Sequence, residues 1–266
     1  MNRIIMIICF AWVLCGCSRE MLLEDESLQM EEEVLMYEDV PFSFASILNL
    51  PSKGKDEDGN YRSKIPIFGG KSAWNLSYNE YKYLVWMADE GLFTKNSILR
   101  KLGNQLAQKK TNPVRLKFAV FPDFEKEFPG RDAVYDASSQ TVLFKTESDI
   151  FLDRIILHEF WHVVQCELAG IKMTDKNEAH MEFEVMVLCD VIQTMITGNV
   201  VTSIKTYTYM SLVSRLVNLS GHIDPGGESQ VLADYNKVYE NWARENSFSE
   251  PDNYNPGALF CFLSIF

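Results

Sequence analysis

His158-Glu159-Phe160-Trp161-His162 sits in an apolar stretch, with Ile155-Ile156-Leu157 before it and Val163-Val164 after it. On a helix, residues four apart share one face, about 6 Å apart along the axis, so both imidazoles can reach one metal ion. Glu159 projects about 100° round the helix from His158, near enough to hold and deprotonate a water beside that ion. Two nitrogen donors and a carboxylate base on one turn are the minimum apparatus for zinc-assisted hydrolysis. The motif uses two of only four histidines in the chain. The nearest three residues on either side carry no charge, as a buried metal helix requires.

Zinc held by two imidazoles needs a third protein ligand and one position left for water. A second helical segment, expected from a Thr174/Asp175 cap to Thr197 before Gly198, supplies Glu178, Glu182 and Glu184. The first segment is expected from about Ser148 to Leu168. If the two form an antiparallel hairpin about residues 170–173, His162 lies opposite position 181 and His158 opposite 185. Glu182 falls in that window. Glu178 lies about one turn off, and Glu184 is about 200° round the helix from Glu182. The order of preference is therefore Glu182, then Glu178, then Glu184. His180, also about 200° from Glu182, is expected to face away from the metal.

HExxH followed some twenty residues later by a Glu on the next helix resembles the gluzincin metallopeptidases, which include the thermolysin-like enzymes. Glu182-Phe183-Glu184 is similar to the ExE segment of compact bacterial members, and residues 114–197 carry the resemblance. It implies zinc bound by His158, His162 and Glu182, with Glu159 as general base and a peptide as substrate. It also implies a strand at a sheet edge that aligns the peptide, for which Thr141–Lys145 is the candidate. No acid stands four residues after Glu182, where Met186 is found, so Glu178 or Asp190 is considered as the acceptor behind a metal-bound imidazole. His222, Tyr207 and Tyr209 are considered for steadying an oxyanion. The alternative is a catalytically inactive zincin-like lipoprotein acting as a binding or scaffold module.

The start of the chain bears on location. Asn2-Arg3 precede an apolar run from Ile4 to Leu14, too short to span a bilayer comfortably. Leu14-Cys15-Gly16-Cys17 then resembles a bacterial lipobox. Residues 1–16 read as a lipoprotein signal peptide and Cys17 as the lipidated residue. Residues 17–44, with Glu24-Asp25-Glu26 and Glu31-Glu32-Glu33, read as an acidic tether. The resulting expectation is a cell-envelope lipoprotein whose domain spans residues 45–266. Net charge is −12, which repels phosphate backbones and argues against nucleic acid as a partner. Cys166, Cys189 and Cys261 remain, and they read as buried thiols in preference to a Cys166–Cys189 disulfide.

Around the motif the pattern is α+β. Helices are expected over Tyr78 to Glu90, Asn96 to Lys109, 200–218 and 228–246. A strand is expected over Val114 to Val120, and a short hairpin over Ala133–Asp136 and Thr141–Lys145. The expected fold is zincin-like: a small mixed sheet, a metal helix, an antiparallel ligand helix and C-terminal helices that close the cleft.

Overall fold

The computed structural model describes residues 47–49, 64–174, 176–219, 227–248 and 254–265. The lipobox, Cys17, the acidic tether, Asp175 and His222 lie outside the described residues. The fold is α+β, with a five-stranded mixed sheet and helices.

Strands β1 (Lys64–Pro66) and β2 (Ser72–Asn75) come first, joined by a 3-10 turn. Helix α1 (Tyr78–Asp89) starts where a capping box closes: the Ser77 side chain accepts from the Glu80 N–H, and the Glu80 carboxylate accepts from the Ser77 N–H. A short α2 (Leu92–Lys95) leads to α3 (Ser97–Ala107), capped by Asn96 Oδ1, which accepts from the N–H groups of Ile98 and Leu99. Next come β3 (Lys117–Val120), α4 (Phe124–Glu127), β4 (Ala133–Asp136) and β5 (Thr141–Phe144). Helix α5 (Asp153–Val163) carries the motif and widens into a π turn at Val164–Leu168. Helix α6 (Glu178–Thr197) ends at Gly198, whose φ of 66° is the left-handed stop that glycine permits. Helices α7 (Tyr207–Leu219), α8 (Gly227–Glu245) and α9 (Gly257–Leu263) follow.

The expected strand from Val114 is shorter, because Leu116 pairs with a separate segment. Its N–H donates to the Ile47 carbonyl, and its carbonyl accepts from the Asn49 N–H. The expected second-helix cap also differs. The helix begins at Glu178 rather than at Thr174/Asp175. Asn177 Oδ1 accepts from Thr174 instead, and the Glu178 carboxylate reaches Arg131.

The strand order is β1-β2-β3-β5-β4, antiparallel except for the parallel β3–β5 pair. This corrects the expectation for the edge. Thr141–Lys145 is not the edge strand, because β5 is paired on both sides and all four of its residues are buried. The outer strand at this end of the sheet is β4, whose register with β5 runs from Ala133–Phe144 to Asp136–Thr141. A strand covered on both faces reads as an unbroken apolar run, and Val142-Leu143-Phe144 is such a run.

The pleat divides the core. Phe118, Val142 and Phe144 join the main core with the helices, whereas Ala119 and Leu143 face a smaller cluster with Ile67, Phe121 and Phe124. Phe160 and Trp161 are buried on the side of α5 turned to the main core. The Phe160 ring meets Phe93 edge-on at 5.1 Å, and Trp161 meets Phe262 at 6.4 Å. Truncating Phe160 to Ala should cost about 3–5 kcal/mol, whereas Asn96→Ala, which removes only a cap, should cost about 1 kcal/mol. Urea unfolding of the two variants measures the difference. Equal losses would mean that α5 is not seated by its aromatic face.

Candidate metal centre

The side of α5 away from Phe160 carries His158, Glu159 and His162. One donor atom from each lies within 4.8 Å of the others, a cluster that could hold a metal ion. Glu182 of α6 comes still closer. Its Oε2 is 3.1 Å from His158 Nε2 and 3.7 Å from His162 Nε2, and the two Nε2 atoms are 3.1 Å apart. Among the three acids considered, Glu182 is therefore the one that α6 brings to both imidazoles.

Glu178 and Glu184 have other partners. Glu178 pairs with Arg131 Nη2, while Arg131 Nη1 donates to Glu182 Oε1 at 2.8 Å. One guanidinium thus holds the second oxygen of Glu182 and leaves Oε2 for the imidazoles. Glu184 is fully buried behind the site.

The acceptor behind His162 is neither Glu178 nor Asp190. It is Gln165, whose Oε1 lies 2.8 Å from His162 Nδ1. Gln165 Nε2 donates to the Met181 carbonyl at 3.0 Å and to Glu184 Oε2 at 2.6 Å. With the amide nitrogen so engaged, Oε1 must accept, and Nδ1 must carry the proton. In the neutral ring, that leaves the Nε2 lone pair of His162 for a metal. Asp190 is committed elsewhere: it accepts from Ser203 and from the Tyr209 hydroxyl.

The remaining candidates among the described residues have other surroundings. Tyr209 is buried against Asp190, and Tyr207 is 86% exposed. His180 is buried and stacks on Tyr239 and Tyr254, and burial lowers its pKa to about 3. Cys166, Cys189 and Cys261 are free thiols. Burial pushes Cys166 up to about 11, so it is protonated at neutral pH.

Two functional partners were missed from sequence. Gln165 stands three residues after His162, on the same helical face, and that spacing could have found it. Arg131 has no local signal. It lies 51 positions before Glu182 and arrives with the loop into β4.

Electrostatics tie the cluster together. Burial disfavours the charged form of Glu182, yet His162, His158 and their hydrogen bonds hold its carboxyl well below the usual range. Burial likewise works against charge on His162, but Glu182, Glu159 and Gln165 outweigh it and raise the pKa to about 9. Glu159 shows the opposite balance. Burial and nearby Glu182 push its carboxyl up, against the pull of His162, His158 and Arg131. Its Oε2 is buried without a hydrogen-bond partner, an arrangement that is costly unless a water or ion completes it.

In the metal-free protein, His162 titrates near 9, against about 6.5 when unfolded. The stability it contributes is full below pH 6.5 and is lost as pH rises through 9. Melting of chelator-treated protein across pH 6.5–9 should therefore show a decline that His162→Asn flattens. An unchanged slope in that variant would remove His162 as its source. No family model, curated protein or solved structure matches the chain.

Proposed function

We propose that this protein is a zinc-dependent peptidase of zincin-like fold, anchored by lipid in a bacterial cell envelope. The observation that carries the reading is the triangle of His158 Nε2, His162 Nε2 and Glu182 Oε2, with sides of 3.1, 3.1 and 3.7 Å. Ligands on a tetrahedral zinc with bonds of about 2.0–2.1 Å stand about 3.3 Å apart. Two imidazoles and a carboxylate are also a donor set used by catalytic zinc, with a fourth position free. The unpartnered Glu159 Oε2 beside that triangle supports the same assignment.

A zinc ion bound there would polarise a substrate carbonyl and make water more acidic. The chain supplies the rest. Glu159 Oε2 takes the proton of the attacking water and delivers it to the leaving nitrogen. A carboxyl pushed up by burial is suited to both halves of that transfer. Arg131 keeps Glu182 in place, and Gln165 keeps His162 in the tautomer that offers Nε2. β4 packs beside α5 and is paired on only one side among the described residues. Its outer edge could align an extended peptide by backbone pairing, the role expected of Thr141–Lys145 from sequence.

The anchor rests on Leu14-Cys15-Gly16-Cys17. Among the described residues no helix is long and apolar enough to cross a membrane; the proposed attachment is lipid on Cys17. Metabolic labelling with palmitate should mark the wild type and miss Cys17→Ala. Equal labelling would end this assignment.

Purified protein should take up one zinc. His162→Ala and Glu182→Ala should lose it, whereas Glu159→Gln should keep zinc and lose peptide hydrolysis by about 10²–10⁴-fold. A wild type that takes up no zinc would refute the centre. Full activity in Glu159→Gln would refute the mechanism, and zinc binding with no hydrolysis of any peptide library would favour the inactive scaffold.

A further inference from the structure

Glu184 is the most completely buried acid near the centre, and it lies on the far side of α6 from the imidazoles. Its relative exposure is 0%, and no cation pairs with it among the described residues. A carboxylate removed from water without a counter-charge is expensive unless donors surround it. Here they do. Gln165 Nε2 and the Tyr254 hydroxyl donate to Oε2 at 2.6 and 2.7 Å, and the Leu259 N–H donates to Oε1 at 2.8 Å. Two of these three donors come from residues 254–259.

The last segment of the chain is held closely against the same region. A Cβ on Gly257 would lie 2.6 Å from Ala169 Cβ and 3.1 Å from Ile171 Cδ1, so only glycine lets α9 approach the turn after the metal helix. On the other side, Gln165 has two fixed acceptors, the Met181 carbonyl and Glu184. They aim its Oε1 at His162 Nδ1. A continuous path of hydrogen bonds therefore runs from residues 254–259 through Glu184 and Gln165 to an imidazole of the centre.

We infer that Glu184, clamped by the C-terminal segment 254–259, is a positioning residue that sets His162 for metal binding through Gln165. It acts through geometry: it fixes the amide of Gln165, and with it the rotamer and tautomer of His162. The C-terminal segment is thereby part of the metal centre although none of its residues reaches the metal ligands. The inference rests on the zinc reading above, and its test separates the two.

Zinc affinity of the full chain is measured by competition with a chromophoric chelator, for wild type, Glu184→Gln, Tyr254→Phe and Gln165→Leu. Melting of the metal-free forms and the visible spectrum of the cobalt(II)-loaded forms are recorded beside it. Gln165→Leu and Glu184→Gln should weaken zinc by about 10- to 100-fold and alter the cobalt bands. Tyr254→Phe, which removes one hydroxyl and is the variant least able to disturb folding, should shift both in the same direction by less. If the variants melt lower but keep wild-type zinc affinity and an unchanged cobalt spectrum, Glu184 is only a structural acid and the inference is overturned. If the wild type binds neither metal, the zinc reading fails and takes the inference with it.

Discussion

A carboxylate withdrawn from water must find charge or donors, and the pairing of α5 with α6 confronts three acids with that demand. Each is met differently. Glu182 lies between two imidazoles and Arg131, which keep it ionised in a partly covered site. Glu184 has no such charges and is met by hydrogen-bond donors from Gln165, Tyr254 and Leu259. Glu159 Oε2 is left without a partner. The packing of the two helices therefore determines more than shape. It sorts three chemically similar side chains into a charge carrier, a buried brace and a group with unused capacity.

The face of α5 opposite the acids makes that sorting rigid. Phe160 packs on Phe93 and Trp161 on Phe262, so the helix is gripped from the α2 side and from α9. Beyond Val163 the helix widens into a π turn, a feature found frequently at functional sites. Gln165 lies in that turn, where it can touch His162 on its own helix and both Met181 and Glu184 on the next. The turn is thus a junction between the two helices, and a change in its backbone would move the imidazole and the acid together.

Much of this was legible because it is local. Two histidines four apart, a Glu between them and an acid about five turns later in a helical hairpin all follow from helical period and a short connection. The β4–β5 hairpin was legible for the same reason, from alternating and apolar residues around Ala137-Ser138-Ser139-Gln140. What escaped was long-range order. Whether β4 or β5 lies at the edge depends on β3, which pairs with β5 in parallel across a connection that the hairpin pattern does not reveal. Residues 142–144 did carry a hint, because three successive apolar residues fit a strand covered on both faces. Glu178 illustrates the opposite failure. It was expected inside a helix capped at Thr174/Asp175, yet it is the first residue of α6 and its carboxylate pairs with Arg131 from a distant loop. Arg131 and Tyr254 have no signature at all, since they matter only through where the fold delivers them.

The balance between an active enzyme and an inactive scaffold turns on the group with unused capacity. A buried carboxylate oxygen without a partner costs about 1–3 kcal/mol, more when charged. A site whose only task was to hold a metal would be more stable with an apolar residue at position 159, because His158, His162 and Glu182 already supply three donors. Gln165 and Glu184 have their polar atoms hydrogen-bonded in the same pair of helices, whereas Glu159 Oε2 shares its unpartnered state with Trp161 Nε1 and both ring nitrogens of His180. Under the proposed reading, Glu159 is the carboxylate that hydrolysis would use, because it stands beside both imidazoles.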